Sequence, residues 1–175
     1  FSDARRRFYA EARIAAALAH PNIVPIAEMD QARHTLVMEL CQGGSLQERL
    51  GQGPLPAEEA LQIHLDVLAA LVAAHERGLV HRNLKPTNLL FRHQTGQICV
   101  SDFGIAHLVP AAAAADRRRA PRRRDPVALD TLAYMAPEQR LGETLDPRID
   151  LYAAGVLLFE TLTGSLPWDT HALLR

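Results

Sequence analysis

Lysine is almost missing from this chain. Lys85 is the one lysine among 175 residues, against 18 arginines and 20 acids, for a net charge of −1. A chain so balanced has no global field to draw nucleic acid or an anionic membrane. Cysteine is scarce too. Cys41 and Cys99 lie far apart in sequence and outside any metal-ligand spacing, which excludes a disulfide framework and fits reduced thiols of a cytoplasmic protein. No apolar run approaches the ~20 residues of a membrane span, and the opening residues do not read as a signal peptide. No glycine precedes Gly43, so the first 42 residues hold no glycine-rich loop to cradle phosphates. From residue 105 to residue 130 there is no serine, threonine or tyrosine, so that stretch offers no hydroxyl for phosphorylation.

What is present reads as helices and short strands. Residues 3–19 carry Phe8, Glu11, Ala15 and Leu18 at helical spacing behind a candidate cap, Asp3, and Pro21 forces a stop near His20. Ile23 to Glu28 and His34 to Glu39 read as two strands. Ser45 is placed to cap a short helix through Leu50. A longer helix is expected over 56–77, with Pro56 in its first position, Glu58 and Glu59 against its positive end, and Gly78 as its stop. Its apolar stripe reads as Leu61, Leu65, Leu68 and Val72. Leu79-Val80 reads as a short strand. Leu89 to Phe91 and Ile98 to Val100 read as a hairpin turning at Thr95-Gly96. Residues 110–130 are low in complexity, with five alanines followed by Arg117 to Arg119 and Arg122 to Arg124. The ordinary reading of that run is a solvated insertion, and no aromatic residue interleaves it to stack on bases. Order is expected again near Thr131, and a last helix over 150–162 ends at Gly164.

Two motifs carry chemistry. The stretch His81-Arg82-Asn83-Leu84-Lys85-Pro86-Thr87-Asn88 is followed, 19 residues after Asn83, by Asp102-Phe103-Gly104. Their order and spacing resemble the catalytic and metal-binding loops of a protein kinase. The resemblance extends over essentially the whole chain. It includes Glu11 in the first helix, His20-Pro21-Asn22-Ile23-Val24 after it, and Leu36-Val37-Met38-Glu39 at the entrance to an interlobe hinge. It also includes Tyr134-Met135-Ala136-Pro137-Glu138-Gln139 and Asp150-Leu151-Tyr152-Ala153-Ala154-Gly155-Val156. Together these look like a serine/threonine kinase of the eukaryotic-like type found in bacteria, and Lys85, two residues past Asn83, is typical of the serine/threonine class.

The resemblance implies an α+β, two-lobed fold in truncated form. Residues 1–40 would be a small-lobe remnant. Residues 41–175 would be a partial helical large lobe with catalytic loop 81–88, metal loop 102–104 and activation segment 102–138. It implies ATP and Mg²⁺ as cofactors and a protein substrate or regulatory protein partner, with no nucleic acid. A membrane anchor outside these residues stays open. Asp102 and Asn88 would be the metal ligands, and Lys85 would neutralise the γ-phosphate. Met38 would be the gatekeeper, with Glu39 and Cys41 in the hinge beside the nucleotide. Glu11 would meet a small-lobe lysine that has no position in this chain. Arg82 would reach a phosphorylated activation segment in such kinases. With no hydroxyl in 105–130, Arg82 is expected to be idle or paired with Asp116, Asp125 or Asp130. His81, Phe103 and Ile26 would belong to the apolar spine linking the lobes, with Ala15 leaving a gap at a fourth position. Glu138 is expected to miss a late large-lobe arginine, and the 150–162 helix to be partly uncovered.

Asn83 decides the functional expectation. It holds the position of the catalytic-loop aspartate, and its amide donates where an acceptor is needed and has no useful basicity. General-base help is worth about 10²–10⁴-fold, so the resemblance implies a kinase that is inactive or severely impaired. The competing reading is a non-catalytic scaffold that binds a partner and perhaps nucleotide.

Overall fold

The computed structural model describes residues 2–33, 35–103, 131–143 and 146–168. Among the described residues run α1 (Ser2–Ala16), α2 (Leu46–Leu50), α3 (Ala57–His75), α4 (Pro137–Leu141) and α5 (Arg148–Thr163), with a 3-10 turn at Pro86–Asn88. Two antiparallel hairpins complete the order: β1 (Ile26–Asp30) with β2 (Thr35–Met38), and β3 (Leu89–Phe91) with β4 (Ile98–Val100). The class is α+β, as the sequence implied.

Helix boundaries follow local chemistry. Ser45 caps α2 by accepting the Glu48 N–H at 3.3 Å, and its hydroxyl donates to Glu48 Oε1 at 3.2 Å. Pro56 is the residue before α3, not its first helical residue, and α3 ends at His75. Gly78 and Gly164 take left-handed backbones just after α3 and α5. α1 begins before Asp3, so that side chain is not its cap, and it ends at Ala16, three residues short of the expected 19. The first strand begins at Ile26, not Ile23, because Ile23 and Val24 are used elsewhere. Ile23 bridges in parallel to Val100, and the Val24 N–H donates to Val100 O at 3.0 Å. Leu79-Val80 forms no strand.

One expectation about packing is overturned. The stripe Leu61, Leu65, Leu68 and Val72 faces outward, at 52, 61, 37 and 57% exposure. α3 instead buries Ala60, Ile63, His64, Val67, Ala70, Leu71 and Ala74. The helix is apolar on nearly every face, so spacing alone does not choose between them. The alanines choose, because small side chains let α3 lie close against α5 and β4. Exposed Leu151, Phe159 and Leu162 likewise leave part of α5 uncovered.

The core between α3, α5 and the β3–β4 hairpin holds Val67, Leu71, Leu79, Leu89, Val100 and Leu157, each 1% exposed or less. Gly43 ties α2's approach to this core. Its N–H donates to Phe91 O at 2.8 Å, and a Cβ there would sit 2.6 Å from that oxygen. Ala15 is buried at 5%, so its neighbours close over the methyl. No described helix is long and apolar enough to cross a membrane.

Candidate functional site

The loop between α3 and β3 is built on one buried carboxylate. Asp150, at 1% exposure in the first turn of α5, accepts the His81 N–H (Oδ2, 2.8 Å) and the Arg82 N–H (Oδ1, 2.8 Å). His75 Nε2 lies 2.7 Å from the same Oδ2. These bonds hold Arg82 at φ +67°, a left-handed conformation that costs an ordinary residue about 1–2 kcal/mol. The Arg82 carbonyl in turn accepts Gln139 Nε2 at 2.7 Å, and Gln139 Oε1 accepts the Ala136 N–H at 3.3 Å. The start of α4 is thereby fastened to the loop.

His81 is fully buried and bridges to the second motif. Its Nε2–H donates to Ser101 O at 2.8 Å, its Nδ1 accepts the Asn83 N–H at 3.2 Å, and its ring meets Phe103 edge-on at 4.7 Å. Burial pushes its pKa below the ordinary histidine value, so the ring is neutral and this tautomer satisfies both nitrogens.

Asn88 is buried at 6%. Its Nδ2 donates to Asn83 O at 2.8 Å, which fixes the amide's orientation and turns Oδ1 away from that bond. The Ser101 N–H and hydroxyl both donate to Asn88 O, at 2.9 and 3.1 Å, so the residue before Asp102 is stitched to Asn88. Asp102 has φ +61° and, among the described residues, its carboxylate makes no hydrogen bond or ion pair. No group of three His, Cys, Asp or Glu among the described residues could hold a metal by itself. Asp102 and the Asn88 carbonyl oxygen are hard donors that suit Mg²⁺, an ion that binds through one or two protein oxygens and takes the rest from phosphate and water. Lys85 Nζ donates to Thr131 Oγ1 at 3.2 Å.

The other candidate residues lie at the β2 end. Met38 is 37% exposed and Leu40 is 76% exposed. Glu39 forms a two-armed pair with Arg92, at 2.7 and 2.9 Å, and that hydrogen bond holds its carboxyl below the usual carboxylate range. Arg92 also donates to Pro21 O at 2.5 Å. The two cysteines are free thiols, and Cys99 Sγ–H donates to Pro21 O at 3.4 Å. Burial raises both, Cys99 to about 11.

Arg82 corrects an expectation. It is not idle; the acids expected for it, Asp116, Asp125 and Asp130, lie outside the described residues together with Gly104 and the arginine run. Its Nη1 reaches Glu11 of α1, at 3.3 Å from Oε1 and 3.5 Å from Oε2. Glu11, expected to meet a small-lobe lysine, is engaged here by Arg82. Glu138 forms no ion pair among the described residues. The sequence reading missed the roles of Asp150, His75 and Gln139. An acid opening an otherwise apolar helix was the available signal for the first.

Comparison with known proteins now bears on the whole arrangement. A profile of the protein kinase domain matches residues 2–173. The chain belongs to the protein kinase domain family. It is 41% identical over 173 residues to the serine/threonine-protein kinase Pkn1 of Myxococcus xanthus, covering 96% of this chain and 24% of Pkn1. It is 40% identical over 171 residues to PknL of Mycobacterium tuberculosis, covering 96% of this chain and 41% of PknL. The crystal structure of the Mycobacterium tuberculosis PknI kinase domain superposes with a TM-score of 0.73 at 29% identity, covering 97% of this chain and 61% of that one. The fold is thus a partial kinase fold of bacterial serine/threonine type, and the chain spans well under half the length of either curated relative.

Proposed function

We propose that this kinase-family domain retains the contacts for magnesium and the triphosphate of ATP, and is severely impaired in passing the phosphoryl group to a protein serine or threonine. The observation that carries this reading is Asn83. It occupies the acceptor-facing position of a loop whose neighbours, Lys85, Asn88 and Asp102, all retain the residue types the chemistry needs. Bound magnesium supplies charge neutralisation on the phosphate oxygens.

The chain's own residues divide the remaining work. Asp102 and Asn88 would hold the metal as oxygen donors, and the bond from Asn88 Nδ2 to Asn83 O keeps the Asn88 amide in the orientation that would present Oδ1. Lys85, whose Nζ donates to Thr131 Oγ1 at 3.2 Å, would neutralise the γ-phosphate. Met38, Glu39 and Cys41 would border the adenine, with Met38 as gatekeeper. Residues 1–40 act as the small-lobe part and 41–175 as the large-lobe part. At position 83 an amide takes no proton from the acceptor hydroxyl, so the general-base contribution, about 10²–10⁴-fold, is lost. Phosphoryl transfer leans more on positioning and electrostatics than on the base, so a small residual rate is compatible with this account.

A second reading is a non-catalytic scaffold that binds nucleotide or a regulatory protein. Asn83 favours it, as does the engagement of Glu11 by Arg82, which occupies the acid that would otherwise receive a small-lobe lysine. Thermal unfolding of the full-length protein with ATP, with and without Mg²⁺, tests the shared premise. A Mg²⁺-dependent rise in Tm is expected, and it should vanish in Asp102→Asn. No shift in the natural protein rejects nucleotide retention under either reading.

A further inference from the structure

Gln139 lies in α4, a helix with no buried side chain. Among the described residues, one hydrogen bond joins residues 136–141 to another element, and Gln139 makes it. Its Nε2–H donates to Arg82 O at 2.7 Å. The Oε1 of the same side chain accepts the Ala136 N–H at 3.3 Å and closes the first turn of α4. One amide thus donates in one direction and accepts in the other. Turned over, it would set oxygen against oxygen and N–H against N–H, so the two bonds together fix its orientation. A glutamate here could keep only the acceptor. A methionine, similar in length, could keep neither.

The carbonyl that Gln139 engages belongs to the peptide plane leading into residue 83. The other end of that plane is the Asn83 N–H, which donates to His81 Nδ1 over a longer 3.2 Å. The preceding plane is held by Asp150 Oδ1 through the Arg82 N–H. Between the two planes the Arg82 backbone keeps φ +67°, which an L side chain disfavours. Releasing the Arg82 carbonyl lets that backbone relax, and the 82–83 peptide turns with it. The side chain at position 83 then changes its aim, although no atom of residue 83 touches Gln139.

We propose that Gln139 is a positioning residue for phosphoryl transfer: from α4, through the Arg82 carbonyl, it sets where the side chain at position 83 points. This rests on the acceptor-facing role proposed for position 83. Capping alone would ask only for an acceptor three residues after the cap, and glutamate supplies that as well as glutamine does. The donor half of the amide is what reaches the catalytic loop.

Glu and Met variants separate the two halves. Amide NMR with hydrogen exchange on the full-length protein, without nucleotide, reads them out. In Gln139→Glu the α4 amides should exchange as in the natural protein, while the Asn83 amide signal shifts and its exchange rises about three- to tenfold. Gln139→Met should speed exchange in both places, and Arg140→Gln, at an exposed position of α4, in neither. A second readout uses Asn83→Asp. Adding Gln139→Glu to it should lower kcat for transfer by about 10- to 100-fold, with KM for Mg²⁺–ATP changed by less than about threefold. An Asn83 amide left unchanged in signal and exchange by Gln139→Glu overturns the proposal, as does an unchanged kcat where Asn83→Asp transfers phosphate. Absence of transfer in Asn83→Asp counts against the proposed function alone, and the Asn83 amide still decides the role of Gln139.

Discussion

Asp150 sits at 1% exposure with the N–H groups of His81 and Arg82 and the ring of His75 gathered on its two oxygens. Leu40, in the stretch that resembles the interlobe hinge, is 76% exposed, and the only side-chain tie of its neighbour Glu39 among the described residues is the pair of bonds from Arg92, beside the backbone bond from the Glu39 N–H to Pro25 O. The two regions would serve one reaction, the first the metal and acceptor, the second the nucleotide base. They are secured by different physics. The catalytic loop rests on a buried polar network inside an apolar core, where each bond is strengthened by low dielectric and each loss leaves an unsatisfied group. The hinge edge rests on a partly exposed ion pair that water and salt weaken. Substitutions should therefore be severe in the first region and mild in the second.

The largest effect is expected from Asp150→Ala, which strips two backbone N–H groups and His75 of their acceptor. It should lower unfolding free energy by about 3–5 kcal/mol in urea titration. A loss under about 1 kcal/mol would mean the loop is held some other way. Next, α3 has two apolar faces that sequence alone confuses. Leu71→Ala, at a 1% exposed position, should cost about 2–5 kcal/mol, and Leu65→Ala, at 61%, should stay within about 0.5 kcal/mol. Equal costs would erase the assignment of the buried face.

A pH titration sharpens the same comparison. Burial lowers the pKa of His81 and of His64, so both are held neutral when folded, and their value in an unfolded chain is near 6.5. The unfolded chain then binds more protons, and stability is full above about pH 6.5 and falls as pH drops below it. Each ring contributes up to about 1.4 kcal/mol per pH unit. His64→Gln should flatten the acid limb measured by denaturation between pH 7 and 5, and an unchanged limb would reject the burial argument. The smallest effect belongs to the hinge. Glu39→Gln loses the paired carboxylate's contribution, which is present above the ordinary carboxylate pKa and fades as pH falls through the lowered one. It should cost less than about 1 kcal/mol at neutral pH and nothing measurable in 1 M salt.

Much of this was legible in the residues. The motif order gave the kinase fold, and Ser45, Gly78 and Gly164 marked helix ends through known backbone chemistry. The hairpin at 89–100 followed from its two apolar runs. What failed did so for physical reasons. α3 has leucines on one face and alanines on another, and periodicity rewards the larger side chains, whereas close packing selects the smaller. The strand expected from Ile23 was pre-empted because Ile23 and Val24 pair with Val100, a contact between residues distant in sequence. Arg82 was expected to be idle or to meet Asp116, Asp125 or Asp130, which lie outside the described residues; among the described residues it meets Glu11 of α1, distant in sequence. Asp150 was noticed only as part of a motif, since nothing local reveals that its carboxylate faces backbone N–H groups almost 70 residues earlier.

The central claim concerns a single side chain, the amide at position 83. Radiolabelled phosphate transfer from Mg²⁺–ATP to a protein acceptor, measured for the full-length protein and for Asn83→Asp, tests it most directly. Little or no transfer is expected from the natural protein, with the aspartate variant faster by about 10²–10⁴-fold. Equal, robust rates in the two proteins would contradict it.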